Sequence, residues 1–66
     1  MRAEVGQLRR WNRGGDEVGS IFLVIGFTPG PAIGEIFVDY IMDGTHCWDD
    51  DDWVEKHSEV ISEDSP

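Results

Sequence analysis

Residues 35–48 read EIFVDYIMDGTHCW, two alternating segments on either side of an Asp-Gly pair. In Glu35 to Met42, every second side chain from Ile36 onward is apolar, which is typical of a strand with one buried face. Asp43 and Gly44 suit the positive φ angles of a type I′ turn, so Thr45 to Trp48 is predicted to return as the next strand. The stretch therefore predicts a β-hairpin whose core face carries Ile36, Val38, Tyr40 and Met42.

The rest of the chain also favours short strands over helices. Ile and Val supply twelve residues, against four from Leu and Ala, and branched side chains suit a pleated surface. Strands are predicted at Gly6 to Trp11, Gly19 to Phe27 and Ser58 to Ser62, with a bulge or bend at Gly26. The second of these is apolar on both faces, as expected of a strand at the centre of a barrel.

Two further segments complete the predicted order of elements. Residues 28–32 (TPGPA) are predicted to be a loop, since proline has no amide hydrogen to donate to a sheet. The Asp49 to Asp52 run favours a single 3₁₀ or α turn around Trp53 to Glu55, because Asp suits a helix N-cap and first turn. Five strands, with this turn before the last, indicate an all-β fold, a small SH3-like barrel.

Length and composition limit the organisation of the chain. Sixty-six residues allow one domain, which we predict to span residues 1–63, followed by a flexible tail at residues 64–66. Cys47 is the only cysteine, so an internal disulfide is excluded and an intracellular location is the simplest expectation. The longest apolar run, Ile21 to Ile25, is far shorter than a membrane span, so no membrane partner is expected.

The charge of the chain is strongly acidic and unevenly distributed. Fourteen acidic residues against five basic ones give a net charge of -9, which repels nucleic acid and favours a basic protein partner. Residues 1–13 carry four arginines and one glutamate, whereas residues 14–66 carry one lysine and thirteen acidic residues. Pairing of the basic end with the acidic body of another copy would give a salt-sensitive homo-oligomer.

No group of residues predicts catalysis or metal binding. Cys47 and His46 are adjacent on a predicted strand, so their side chains point to opposite faces and do not form a nucleophile and base. These two residues and His57 lack the spacing of a zinc site. The Asp49 to Asp52 run lacks the spaced ligands and central glycine of a calcium loop, and is interpreted as a solvated acidic turn with one capping Asp. We expect no enzyme, metal or cofactor.

Three tryptophans in so short a chain are the main indication of a binding role, since tryptophan is enriched at binding hot spots. Trp11 and Trp53 are placed like the aromatic residues of peptide-binding SH3 grooves, where they would clamp an extended or proline-rich segment. The alternative is that a small barrel needs tryptophan in its core. The residues predicted to contact a partner are Trp11, Trp48, Trp53, Asp49, Asp50, Asp51 and Asp52.

Several short segments also resemble a known group of proteins. VGQLRRW at residues 5–11, GSIFLV at 19–24, MDGT at 42–45, Cys47-Trp48, Asp51-Asp52 and EVISE at 59–63 are similar to the short SH3-like barrel proteins encoded by tailed bacteriophages, especially marine ones. The resemblance covers nearly the whole chain and implies mainly a fold. It also implies a phage-encoded protein of the host cytoplasm or the virion, whose partner is a phage structural protein or a host protein. Gln7 and the proline-rich loop at residues 29–34 depart from the pattern.

Two functions follow as hypotheses. The first is a noncatalytic interaction or structural module that docks through an aromatic face with an acidic rim. The alternative is an acidic inhibitor that imitates the charge of DNA and binds a basic host nucleic-acid-binding protein. Direct nucleic-acid binding through the arginines near Trp11 is disfavoured by the excess of acidic residues elsewhere.

Overall fold

The computed structural model describes residues 3–13 and 18–63. They form five antiparallel strands in one sheet and one short helix before the last strand, which confirms the predicted fold class. The sheet order is β4-β3-β2-β1-β5, and closure of this sheet into a barrel stays a prediction. The elements are β1 (Gln7–Trp11), β2 (Ile21–Pro29), β3 (Ile36–Met42), β4 (Thr45–Asp50), α1 (Asp51–His57) and β5 (Ser58–Glu63).

The hairpin of β3 and β4 has the geometry that its sequence predicts. Asp43 and Gly44 have φ angles of 52° and 76°, so both central residues of the turn lie in the left-handed region. Met42 pairs with Thr45, and the register continues so that Tyr40 lies opposite Cys47. The predicted core face of β3 is confirmed, with two residues buried and two partly buried: Val38, Tyr40, Ile36 and Met42.

Strand β2 differs from its predicted bounds at its C-terminal end. The sequence predicts a loop at Thr28 and Pro29, but these residues pair with Phe37 and Ile36 of β3. Proline is tolerated there because β1 pairs with β2 only from Ile21 to Leu23, so the other side of β2 has no β1 partner at this point. The register shift between Val24 and Gly26 confirms the predicted bulge.

The acidic run separates into two elements. Asp49 and Asp50 extend β4, and Asp51 begins an α-helix of seven residues, longer than the single turn that the sequence predicts. The Asp50 side chain accepts a hydrogen bond from the Asp52 amide at 2.9 Å, which confirms a capping Asp. In the part of the chain that the structure describes, no helix has the length and apolar character needed to cross a membrane.

The core lies on one face of the sheet, which we call the inner face, and is built around three aromatic rings. The ring of Phe22 lies 4.6 Å from the rings of both Trp11 and Tyr40, measured between centroids. Val54 of α1 is fully buried against this cluster, so the helix covers one end of the core. The remaining buried apolar residues are Ala3, Val24 and Val38. The predicted tail at residues 64–66 lies outside the described residues.

A buried polar cluster joins the first strand to the last. Arg9 is only 3% exposed, and its guanidinium donates to the Ser58 hydroxyl at 2.8 Å, to the Ser58 carbonyl at 3.3 Å and to the Gln7 side-chain oxygen at 3.1 Å. The Glu55 carboxylate lies 3.9 Å from the same guanidinium. The Ser58 hydroxyl in turn donates to the carbonyl of Val54. A buried charge needs such partners, so this cluster fixes how β1, α1 and β5 meet.

Candidate protein-binding face

The face of the sheet turned away from the core, which we call the outer face, carries an unusual amount of apolar surface. On β2, Phe22 and Val24 are buried, whereas Ile21, Leu23 and Ile25 are 50%, 38% and 42% exposed. The strand is central in the sheet, as its apolar run predicts, but among residues 3–13 and 18–63 only one of its faces is covered.

Trp48 is the most exposed aromatic residue of the outer face, at 59%. It lies on β4 opposite Asp39 of β3, and its ring centroid is 5.8 Å from that of His46. These side chains border a shallow open depression of about 380 Å³, which we call the Trp48 depression. Its lining consists of Thr28, Pro29, Phe37, Asp39, His46 and Trp48.

Polar contacts hold one wall of the Trp48 depression in place. The Asp39 carboxylate accepts a hydrogen bond from the Thr28 hydroxyl at 2.6 Å, and its second oxygen lies 3.2 Å from Nε2 of His46. Three strands therefore meet at one carboxylate, since Thr28 lies on β2, Asp39 on β3 and His46 on β4. An aromatic surface with fixed polar groups at its edge is typical of sites that bind another protein.

Trp11 is not part of this surface. It is 2% exposed, because the alternation of β1 places Gln7, Arg9 and Trp11 together on the inner face. The interpretation of Trp11 as a partner-contacting residue is therefore wrong, and so is the predicted groove between Trp11 and Trp53. The alternative reading, a tryptophan in the core, is confirmed for Trp11.

Trp53 lies on α1 and is 45% exposed. Its ring stacks on that of His57, one helical turn later, with centroids 3.9 Å apart and an angle of 17° between the planes. Nδ1 of His57 lies 2.9 Å from the Trp53 carbonyl oxygen, which adds a second contact within the helix. Part of the Trp53 surface thus stabilises the short helix, since side-chain pairs at positions i and i+4 stabilise helices.

The four residues of the acidic run have different environments. Asp49 accepts a hydrogen bond from the Tyr40 hydroxyl, and Asp50 caps α1. Asp51 is buried, at 8% exposure, whereas Asp52 is exposed in the first turn of the helix. The run is therefore not one continuous solvated surface, and only Asp50 and Asp52 are exposed.

Cys47 and His46 lie on opposite faces, as predicted. Cys47 packs partly buried against the core, whereas the ring of His46 contacts Asp39 and Trp48 on the outer face. Across residues 3–13 and 18–63, no group of three or more His, Cys, Asp or Glu side chains is arranged to hold a metal ion.

Sequence reasoning missed most of the lining of the Trp48 depression. The predicted partner contacts do not include Phe37, Asp39 or His46, and the sequence predicts a loop at Pro29. One signal was present: the side of β3 opposite its core face includes Phe37 and Ile41, two apolar residues where a solvated face favours polar ones. The register that brings Phe37 and Pro29 near Trp48 depends on the bulge in β2, and a predicted bulge at Gly26 does not by itself specify which residues of β3 pair with those that follow it.

Comparison with known proteins adds no relative. No protein-family model, no curated protein and no solved structure matches this chain.

Proposed function

We propose that this protein is a noncatalytic interaction module that binds a protein partner through the Trp48 depression. The observation that carries the proposal is the position of Trp48, which is 59% exposed on the outer face of a chain whose core already contains a tryptophan. Tryptophan is among the residues that contribute most to binding energy when a partner covers them.

The structure of the depression supports a binding role over a core role for Trp48. Its ring lies on the face opposite the cluster of Trp11, Phe22 and Tyr40, so it is not needed to fill the core. Phe37 and Pro29 line the same depression and enlarge its apolar surface. Rigid aromatic side chains in a shallow depression suit a partner that inserts one apolar side chain.

The charge around the depression favours a basic partner. The chain carries a net charge of -9, and Asp39 lines the depression while Asp50 pairs with Phe37 across the sheet. We therefore propose a partner segment that combines an apolar side chain with a neighbouring Lys or Arg. The partner class that the sequence resemblance implies is a phage structural protein or a host protein.

The alternative, an acidic imitation of DNA, has less support from the arrangement of the acidic run. Asp49, Asp50 and Asp51 are hydrogen-bonded, capping or buried, so a phosphate-like row of free carboxylates is not present within residues 49–52. The two functions differ in their response to salt, because screening weakens exposed charge pairs while apolar burial persists.

The test is capture of partners by the tagged full chain from host and infected-cell lysates at 50 mM and 1 M salt, with each captured protein then purified. The Kd of each purified partner is then measured for three forms of this chain: the wild type, Trp48→Ala, and Trp53→Ala as a matched control on α1. We expect Trp48→Ala to weaken binding by roughly thirtyfold, a loss of about 2 kcal/mol as at a typical hot spot. We expect Trp53→Ala to weaken binding less than threefold.

Two outcomes would contradict the proposal. Equal Kd values for the wild type and Trp48→Ala would remove the depression from the interface. Capture of host nucleic-acid-binding proteins at 50 mM salt only, unaffected by Trp48→Ala, would support the acidic inhibitor instead.

A further inference from the structure

The Trp48 depression adjoins an edge of the sheet. β4 is the last strand in the order β4-β3-β2-β1-β5, and within residues 3–13 and 18–63 its strand partner is β3 alone. The side of β4 turned away from β3 therefore presents backbone N–H and C=O groups with which no described strand pairs. An extended segment of another chain can bind such an edge by adding one strand to the sheet.

The register of the β3–β4 hairpin shows which backbone groups face this edge. Met42 and Thr45 close the two-residue turn as a hydrogen-bonded pair, and such pairs alternate with non-hydrogen-bonded ones along an antiparallel ladder. His46 and Trp48 therefore occupy non-hydrogen-bonded positions, and their N–H and C=O groups point away from β3. The backbone groups at the edge thus belong to the residues whose side chains lie on the outer face.

The two edges of the sheet differ in how well they can accept a strand. β5, at the other edge, contains a bulge, since Leu8 pairs with Ser62 and Arg9 with Val60, which leaves Ile61 without an opposite residue. Bulges disrupt pairing and are one of the devices that protect sheet edges. β4 pairs with β3 without a register shift and contains neither proline nor lysine. The regular edge beside Trp48 is therefore the better template for an added strand.

We infer that the partner binds as an added strand along β4, with its backbone paired to His46 and Trp48. The inference rests on the proposed function, since it specifies how a partner reaches the Trp48 depression. In an antiparallel pairing, the residue opposite Trp48 lies on the same face of the sheet with its Cβ about 5 Å away. Its side chain therefore contacts the Trp48 ring, which is 59% exposed. Backbone hydrogen bonds and one apolar side chain then act together at the rim of the depression.

The charge of the edge indicates which segment fits it. Trp48 and Asp50 are two positions apart on β4, so their side chains lie on the same face, and both are exposed. An added strand matches them with an apolar residue opposite Trp48 and a Lys or Arg two positions away, opposite Asp50. A second copy of this chain is disfavoured, because each copy has a charge of -9 and β4 offers no Lys or Arg to Asp50. The occupant is therefore a basic, extended segment of a different protein.

The experiment uses the synthetic peptide TRTITRT, in which an arginine lies two positions from the isoleucine in either strand direction. TTRIRTT is the matched control, because it has the same composition but places both arginines on the face opposite the isoleucine. Each peptide is titrated into the ¹⁵N-labelled full chain by nuclear magnetic resonance. We expect TRTITRT to bind roughly fivefold more tightly than TTRIRTT. Hydrogen exchange of the His46 and Trp48 amides should slow at least tenfold in its complex, while exchange in β5 is unchanged.

Two variants at position 46 separate the backbone from the side chain. His46→Pro removes the outward N–H and leaves the hydrogen bonds to β3 in place, whereas His46→Ala removes the same imidazole and keeps the amide. We expect His46→Pro to bind TRTITRT at least tenfold more weakly than His46→Ala does, with an unchanged circular dichroism spectrum. If His46→Pro unfolds, the amide exchange rates and the comparison of the two peptides decide.

The inference is overturned if TRTITRT does not bind at about 2 mM, if TTRIRTT binds as tightly, or if peptide leaves exchange of the His46 and Trp48 amides unchanged. Equal binding to folded His46→Pro and His46→Ala also overturns it. So does protection of these amides without peptide that grows with chain concentration, which indicates a second copy. The proposed function is tested separately: if Trp48→Ala weakens binding of a captured partner while the peptide results are negative, only the added strand is excluded.

Discussion

The two faces of the sheet use similar residues for opposite purposes. The inner face holds one tryptophan and one arginine, Trp11 and Arg9, each at most 3% exposed. The outer face holds Trp48, at 59%, and Arg10, whose side chain is 46% exposed. Residue type alone therefore does not separate core from surface in this chain. Position in the alternation of each strand does so.

Truncation of the two tryptophans should show the largest contrast. Trp11→Ala removes a ring that contacts both Phe22 and Tyr40, so the free energy of unfolding should fall by about 3–5 kcal/mol, enough to unfold a domain of this size. Trp48→Ala should change it by less than about 1 kcal/mol. Urea denaturation followed by circular dichroism measures both. Similar losses in the two variants would contradict the assignment of the faces.

Truncation of the two arginines, Arg9 and Arg10, should show the same contrast between the faces, with a smaller effect on the free energy of unfolding. Arg9→Ala leaves Gln7 and Ser58 without their guanidinium partner, and we expect a loss of about 2–4 kcal/mol in the free energy of unfolding. Arg10→Ala breaks only the exposed ion pair with Glu59, which contributes less than about 0.5 kcal/mol. The same urea titrations test this pair, with 1 M salt as a further condition. Salt should reduce the Arg10 effect and leave most of the Arg9 effect.

The smallest expected contrast concerns the acidic run at the start of α1. Asp50→Ala removes the hydrogen bond to the Asp52 amide and should cost about 1 kcal/mol. Asp52→Ala leaves this cap in place and should cost a few tenths of a kcal/mol, through the helix dipole alone. Thermal unfolding of both variants compares them. Equal losses would mean that the run acts as undifferentiated negative charge.

Much of the fold was predictable because its signals are local. The Asp43-Gly44 turn and the alternation of β3 depend on neighbouring residues, and both are confirmed. The helix α1 is longer than the predicted single turn, since a helix N-cap marks where a helix begins and not where it ends.

The candidate site was less predictable because it depends on contacts between distant residues. The place of Trp11 in the sequence predicts a binding groove, but the alternation of β1 buries this residue with Gln7 and Arg9. Arg9 gave no sign of burial, because a charged residue enters a core only when partners such as Ser58 are brought to it by the fold.

The contact between Arg9 and Ser58 also bears on how the chain reaches its native state. It joins residues 49 positions apart, so pairing β1 with β5, its neighbour at the edge of the sheet, carries the entropy cost of closing a long loop. The β3–β4 hairpin can form early, since its turn consists of two adjacent residues and closes quickly. A chain that has not yet formed this contact would therefore hold β1 paired with β2 on one side and without its β5 partner on the other. An unpaired strand edge of this kind is exposed to aggregation and to capture by chaperones.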